Sequence, residues 1–252
     1  AAAWSLGYVF SPGLGGYLAG AFGMRVVFVF ASVFYAFAAA VLLLIRSQKP
    51  VRDVQDQRDF RGGSLFRLLR TRGLLGFSVL FAVVMFMVMM YRPFVSKFLA
   101  EVYGYRASEI GVFGSILFLG SATLGVLLGR LGDRWKASYA LGAALVFGSL
   151  SLTLLLLFSE FRILVVILFF GGCTYTVWSM MNAIIGPLAP PSMRARWASI
   201  PQTVAMFGAI VAPYVGGILY SYSAQHLFIV AAVMMILVAV VVFTRVPDTG
   251  SE

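Results

Sequence analysis

Charged side chains are scarce in this chain. Only 11% of its 252 residues are Asp, Glu, Lys or Arg, against about 25% in ordinary soluble domains. Apolar residues make up 61% of the chain, and its mean hydropathy is +0.96. A soluble domain of this length covers one apolar core with charge, and this chain has too little charge to do so. The composition therefore excludes an ordinary soluble domain and indicates a protein embedded in a lipid bilayer.

Residues suited to catalysis or metal binding are also few. Cysteine and histidine occur once each, as Cys173 and His226, so no disulfide within the chain cross-links the fold. The nine Asp and Glu residues all fall outside the long apolar runs. A membrane enzyme would need acids, bases, nucleophiles or metal ligands grouped within those runs. We therefore expect a protein that is not an enzyme and that has no metal or cofactor.

Long apolar runs fill most of the chain. Crossing a bilayer as a helix takes about 20 apolar residues, and lipid tolerates only helices or closed barrels because backbone groups must be paired internally. The runs are continuous and do not alternate with polar residues, so they predict an all-α polytopic membrane protein. Eight spans are predicted, near residues 3–20, 25–45, 74–96, 110–130, 138–158, 162–186, 199–221 and 225–244.

The formal charge of +10 is concentrated on one side of the predicted bilayer. The stretch 46–73 alone carries eight Lys and Arg residues, and all predicted loops on that side carry 14, against four on the opposite side. The positive-inside rule places 46–73 and the C-terminus in the cytoplasm, and hence the chain in a plasma or inner membrane. Orientation accounts for the charge, so we do not expect nucleic-acid binding.

An internal repeat links the first and seventh spans. Residues 7–16 read GYVFSPGLGG and residues 208–217 read GAIVAPYVGG, so both follow G-x4-P-x2-G-G at an offset of 201 residues. Proline kinks a helix, and small residues let two membrane helices approach closely. The pattern predicts a helix-packing motif at Gly7, Pro12, Gly15, Gly16, Gly208, Pro213, Gly216 and Gly217.

The two copies stand in unequal surroundings. Four predicted spans, beginning near residue 74, precede the second copy, and none precedes the first. Transporters are commonly built from repeats with the substrate site between them. The offset places the matching start about 127 residues before Ala1, so we expect four helices of the same protein to be missing from the chain.

A short motif, GRLGDR, follows the fourth span at residues 129–134. Members of the major facilitator superfamily carry G-x-L-x-D-R in the cytoplasmic loop between helices eight and nine. Together with the basic linker and the 201-residue repeat, this motif makes nearly the whole chain resemble that family. The eight predicted spans look like its helices five to twelve. The resemblance implies that 1–45 ends the N-terminal half, 46–73 is the linker, 74–245 is the C-terminal six-helix domain and 246–252 is a cytoplasmic tail.

The family's loop motif is associated with conformational change. The resemblance implies that Gly129 permits a tight turn and that Asp133, beside Arg134, forms a latch to the positive end of a nearby helix. The alternative is a solvated turn that only ends the helix. The G-x4-P-x2-G-G element is similar to an antiporter motif of the family, although Ser11 and Ala212 replace its usual glycine. The element favours export.

Polar residues are concentrated in the sixth span, which looks like the cavity-lining helix ten of the family. Tyr175, Ser179 and Asn182 follow helical spacing on one face, with Trp178 in the same stretch. They are candidates for lining a substrate cavity, and bonding between helices is the alternative reading. Gln202, at the start of the seventh span, contacts substrate or caps its helix.

Arg92 is the only basic residue placed within a predicted span. It lies about 27 Å along its helix from Leu74. We expect its side chain to snorkel to the outer surface. An outer gate and a contact to an anionic substrate are the alternatives.

The leading functional hypothesis is secondary active transport of a small solute by alternating access, as efflux of a small or lipophilic molecule. If protons drive it, the coupling residue is expected in the missing helices, because the spans hold no carboxylate. Uptake of an organic anion or a sugar is the alternative, supported by Arg92. A non-transporting receptor or subunit is a further alternative. The expected partners are the bilayer, the solute and the missing helices.

Overall fold

The computed structural model describes residues 2–44, 74–188 and 194–245. The predicted linker 46–73 and tail 246–252 lie outside the described residues. Every regular element in the described part is a helix. The α-helices are α1 (Ala2–Phe22), α2 (Met24–Leu44), α3 (Leu74–Tyr91), α4 (Phe94–Glu101), α5 (Ala107–Arg134), α6 (Ala137–Leu157), α7 (Phe161–Gly171), α8 (Val177–Leu188), α9 (Arg194–Tyr222) and α10 (Ala224–Arg245).

These helices form eight rods. Helices α3 and α4 make one rod, and α7 and α8 make another through a 3-10 turn at Gly172–Thr176. Seven of the eight described rods are long and apolar enough to cross a bilayer. The exception is α1, whose glycine, serine and tyrosine residues and Pro12 lower its hydropathy. The all-α polytopic membrane fold predicted from the apolar runs is confirmed.

The outer surface of the bundle is apolar. Large hydrophobic side chains are exposed along its length; Leu43, Leu44 and Tyr222 are each more than 80% exposed. Helix α2 buries no side chain among those described. A water-soluble protein could not carry this much exposed apolar area, whereas lipid tails solvate it at no cost.

Short connections make successive rods run in opposite directions. Glu101 and Ala107 therefore lie at one end of the bundle, and Arg134 and Ala137 lie at the other. We call these the Ala107 end and the Arg134 end. The sequence predicts that the Arg134 end is cytoplasmic.

Three helix pairs make the most extensive contacts in the described bundle: α3 with α9, α6 with α10, and α1 with α5. In the last pair the backbones touch, because a Cβ added at Gly16 would lie 2.7 Å from the Cα of Gly111. The backbone N–H of Gly13 also donates a hydrogen bond of 2.9 Å to Ser115 Oγ. The α1–α2 pair is thereby fixed against the remaining rods through α5.

Two rods are interrupted within their length. The first break is at Arg92–Pro93, where proline has no N–H to continue the hydrogen-bond ladder from α3 into α4. The second is the 3-10 turn Gly172–Thr176, whose glycine and two threonines have low helix propensity. The first rod was predicted to end near residue 96 but continues to Glu101. Arg92 is therefore deeper in the bundle than the sequence suggested.

Candidate functional site

The two helix breaks face each other inside the bundle. Tyr91, the last residue of α3, donates a hydrogen bond of 3.1 Å from its hydroxyl to Thr174 Oγ1. Arg92 donates one of 3.2 Å from Nη2 to the backbone carbonyl oxygen of Thr174. Tyr91 and Thr174 are both buried. The backbone carbonyl oxygen of Thr174, in the second break, is thus bonded by a side chain from the first break, as membrane depth requires.

The Arg92 guanidinium lies flat on an aromatic ring. Its central carbon is 3.6 Å from the centroid of the Tyr175 ring, a close cation–π contact. Nε of Arg92 is buried without a hydrogen-bond partner among the described residues. The residue lies about 27 Å from Leu74 and about 14 Å from Glu101 along its rod. The expectation that Arg92 snorkels outward is wrong, because the side chain turns inward to Thr174 and Tyr175.

Within the described ranges, no carboxylate balances Arg92. The ion pair found there joins Lys97 Nζ and Glu101 Oε1 at 3.8 Å, at the Ala107 end. The other described carboxylates, Glu109, Asp133 and Glu160, also lie at rod ends. Burying a charge in the bilayer interior is expensive, and such charges mark substrate or ion pathways. Arg92 therefore offers a positive charge at depth.

A cavity of about 710 Å³ lies beside the cation. This volume is within the range of ligand pockets, about 300–1,000 Å³. Tyr175 and Ser179 line it, as predicted from their shared face. Its other lining residues are Tyr8, Arg92, Phe118, Ser121, Ala122, Gly125, Val126, Gly129, Thr176, Met180 and Ala183. The wall is mostly apolar, with the Arg92 guanidinium and the hydroxyls of serine, threonine and tyrosine as its polar groups.

A second cavity, of about 430 Å³, lies on the other side of Arg92. Met24, Ser96, Ala107 and Ile110 line it, which places it toward the Ala107 end. The larger cavity reaches Gly129 and hence lies toward the Arg134 end. We call them the smaller cavity and the larger cavity. The residues that line both are Arg92, Phe118 and Tyr175.

Aromatic rings form a row that ends at Arg92. The Tyr8 and Phe118 centroids are 5.0 Å apart, and the Phe118 and Tyr175 centroids are 4.9 Å apart. These distances are typical of interacting aromatic pairs. The row joins α1 to α5, α5 to the 3-10 turn, and the turn to the α3–α4 break. We call Phe118, Tyr175 and Arg92, the part shared by both cavities, the aromatic–cation row.

Three candidate residues lie away from the larger cavity. Asn182 Oδ1 accepts a hydrogen bond of 2.7 Å from Gln202 Nε2, and Asn182 Nδ2 donates one of 2.9 Å to the Trp178 carbonyl oxygen. The Trp178 ring packs 5.0 Å from the Phe81 ring. The cavity face of α8 passes through Ser179, Met180 and Ala183 and does not include Asn182. Asn182 and Gln202 thus connect α8 to α9, which is the alternative reading given for Asn182.

The GRLGDR motif is helical. Helix α5 continues through Gly129 and Asp133 to Arg134, and only two residues separate it from α6. The prediction of a loop with a tight turn at Gly129 is wrong, because Gly129 lies within α5, where an added Cβ would meet nothing within 4 Å. Asp133 and Arg134 are both exposed, and Asp133 has neither an ion pair nor a hydrogen bond from its side chain in the described part. The latch stays a prediction.

The two copies of the repeat motif make different contacts. A Cβ at Gly208 would lie 2.9 Å from the Ala82 carbonyl oxygen, and one at Gly216 would overlap the Met90 carbonyl oxygen. The repeat-equivalent residues, Gly7 and Gly15, have nothing within 4 Å of an added Cβ. The same face is therefore packed on α3 in the second copy and open in the first.

Sequence reasoning missed three residues of the site. Phe118 and Tyr8 are aromatic residues in apolar helices, and nothing in the pattern distinguishes them from side chains facing lipid. Thr174 contributes through its backbone carbonyl, which no side-chain pattern reveals. The glycine-rich run at 171–172 was the available signal, because two glycines within a long span favour an interruption.

Comparison with known proteins supplies the family. The sequence model of the family described as Major Facilitator Superfamily matches residues 1–105 and again residues 77–252, so the two matches together span the chain. No curated protein matches the chain. Across the described ranges, no three His, Cys, Asp or Glu side chains are grouped to hold a metal ion.

Proposed function

Because the chain belongs to the major facilitator superfamily, whose members move solutes across membranes, we propose that it transports small organic anions by alternating access. The proposal places the negative group of the solute on Arg92. The larger cavity holds the rest of the molecule. Ser179 and Tyr175 supply hydroxyls close to the cation.

One observation carries the choice of an anion. Arg92 brings a guanidinium to the middle of the bundle, where its Nε has no partner and no described carboxylate approaches it. An unpartnered buried donor costs about 1–3 kcal/mol. A carboxylate or phosphate bound there would satisfy Nε and offset the charge, since a guanidinium binds such groups through paired donors.

The size and lining of the larger cavity set the rest of the substrate class. About 710 Å³ accommodates a molecule of drug size rather than an inorganic ion. Phe118 and Met180 give one wall an apolar, adaptable surface. The solute that fits best carries one anionic group and an apolar or aromatic body.

Efflux of a neutral lipophilic molecule is the second candidate. The mostly apolar wall of the larger cavity favours it, as does the likeness of G-x4-P-x2-G-G to an antiporter motif. The two candidates differ in their need for Arg92. An anion requires the cation, whereas a neutral molecule binds the apolar wall without it.

Four helices of the same protein complete the substrate path in this proposal. Gly208 and Gly216 meet backbone oxygens of α3, while the equivalent Gly7 and Gly15 face open space. A helix repeat-equivalent to α3 would cover that open face. The proposed orientation, with 46–73 in the cytoplasm, rests on the excess of basic residues there.

Binding to the complete gene product in detergent tests the anion. The probes are benzoate and phenylphosphonate, each compared with an uncharged relative, benzamide or benzyl alcohol. We expect the anions to bind at least about tenfold more tightly than the uncharged probes, and Arg92→Gln to remove that preference. Arg92→Lys retains charge and should retain part of it.

The matched control is Arg25→Gln, which removes an exposed arginine at the start of α2. It should leave the preference unchanged. Equal binding of charged and uncharged probes to the native protein would reject the anion proposal. Tight binding of uncharged probes, insensitive to Arg92→Gln, would favour the lipophilic candidate.

A further inference from the structure

The two cavities approach each other at only one place in the described part of the bundle. Both are lined by Arg92, Phe118 and Tyr175, and the remaining lining residues of each belong to one end. Phe118 is about 17 Å from the start of α5 at Ala107 and about 24 Å from its end at Arg134. The aromatic–cation row therefore separates two chambers near the middle of the bundle.

The row is held by contacts that a substrate could replace. The central carbon of the Arg92 guanidinium is 3.6 Å from the centroid of the Tyr175 ring. The Tyr175 ring packs edge-on against the Phe118 ring, with the two centroids 4.9 Å apart. No covalent link or ion pair fixes these three residues among those described. A cation–π contact is weaker than a pair of hydrogen bonds between a guanidinium and a carboxylate. A bound anion can therefore replace the Tyr175 ring as the partner of the Arg92 guanidinium.

We propose that the aromatic–cation row is the barrier between the two chambers, and that an anion opens it by drawing Arg92 away from Tyr175. The second half of this statement rests on the proposed anion site. The barrier itself does not, because it follows from the residues that both cavities share. In this arrangement the group that recognises the solute also closes its path, so an empty site stays closed.

Thiol labelling tests the barrier in the complete gene product without any anion. Ser121→Cys places a thiol in the larger cavity and Ser96→Cys places one in the smaller cavity. The same gene product without these substitutions is the blank, and Cys173, the one cysteine of these 252 residues, is buried. A membrane-impermeant methanethiosulfonate reagent with a cationic trimethylammonium group is added from the Ala107 end.

With the row intact, the Ser121→Cys thiol should react slowly. Tyr175→Leu removes the ring and should speed its labelling at least about tenfold, the ratio expected for loss of one desolvated cation–π contact. Tyr175→Phe keeps the ring and should leave the rate nearly unchanged. The Ser96→Cys thiol lies outside the row and should react at the same rate in every background.

Fast labelling of Ser121→Cys with Tyr175 present would overturn the barrier, as would an unchanged rate in Tyr175→Leu. A parallel change at Ser96→Cys would also overturn it, because the substitution would then have loosened the whole bundle. These results do not depend on whether an anion binds.

The second arm adds benzoate or benzamide to the protein with Tyr175 present. Benzoate should raise the rate of Ser121→Cys labelling, benzamide should not, and Arg92→Gln should abolish the effect of benzoate. If benzoate binds through Arg92 but labelling stays constant or falls, opening by the anion is rejected while the anion site stands. If no anion binds, the proposed function fails and the first arm still decides the barrier.

Discussion

Gly216 offers the sharpest test of how closely the helices approach. It is buried on α9, and a Cβ added there would overlap the Met90 carbonyl oxygen of α3 and lie 2.9 Å from Phe94 Cε2. A backbone carbonyl cannot rotate away as a flexible side chain can. Alanine at this position must therefore push α9 from α3, the pair with the most extensive contact in the described bundle.

The expected cost of Gly216→Ala is about 1–3 kcal/mol, the usual price of overpacking, less up to about 1 kcal/mol gained in helix propensity. Gly217→Ala is the matched control, because a Cβ there would meet only Phe94, at an ordinary 3.6 Å. Gly15→Ala tests the first copy of the motif, where an added Cβ meets nothing within 4 Å. In this chain alone, both controls should be neutral or slightly stabilising.

Thermal unfolding of the purified chain in one detergent, followed by circular dichroism, measures the three variants. Gly216→Ala should unfold several degrees below the parent, and the two controls should unfold at or above it. Equal transition temperatures for Gly216→Ala and Gly217→Ala would refute the close approach. In the complete gene product, Gly15→Ala should become destabilising if a helix equivalent to α3 covers it.

Three further predictions use the same assay or a transport measurement. Replacing Asn182 and Gln202 by leucine, singly and together, should give a coupling energy of about 0.6–2 kcal/mol in a double-mutant cycle, and additive effects would mean that their hydrogen bond contributes nothing. Gly120→Ala should prevent stable folding, because the added Cβ would overlap the backbone of α7. Gly129→Ala on the same helix should be tolerated, because an added Cβ there meets nothing within 4 Å. Comparable yields of folded protein for the two variants would contradict this. Asp133→Asn should change the free energy of unfolding by less than about 0.5 kcal/mol, because the Asp133 carboxylate has no partner among the described residues. The same substitution should slow solute flux if the latch forms in another conformation, and unchanged flux would argue against the latch.

The apolar runs predicted the seven rods that are long and apolar enough to cross a bilayer. Lipid solvates apolar side chains on all faces, so a membrane helix appears in sequence as an unbroken run, and the ends of α6 and α10 fall within a residue or so of prediction. Ends that extend beyond the lipid are harder. Helices α4 and α5 continue past the predicted limits of their spans through Glu101 and Arg134, because their own hydrogen bonds do not depend on lipid.

The cavity was only partly predictable. Tyr175 and Ser179 line the larger cavity, as their shared helical face predicted. Asn182 is instead bonded to Gln202 of α9, because the neighbour that a side chain meets depends on how the rods pack. The direction of Arg92 depended on where Thr174 and Tyr175 lie in three dimensions. Phe118 carries no signal, because an aromatic ring that faces a cavity and one that faces lipid have the same sequence pattern.

The paired breaks have a mechanical consequence. A 3-10 segment or a proline within a long helix is a natural hinge, and here the hinge of one rod is bonded to the hinge of another through Thr174. Bending one rod at its break must either stretch those two hydrogen bonds or move the other rod with it. The rods Leu74–Glu101 and Phe161–Leu188 should therefore flex together, so that one end of the bundle narrows as the other widens.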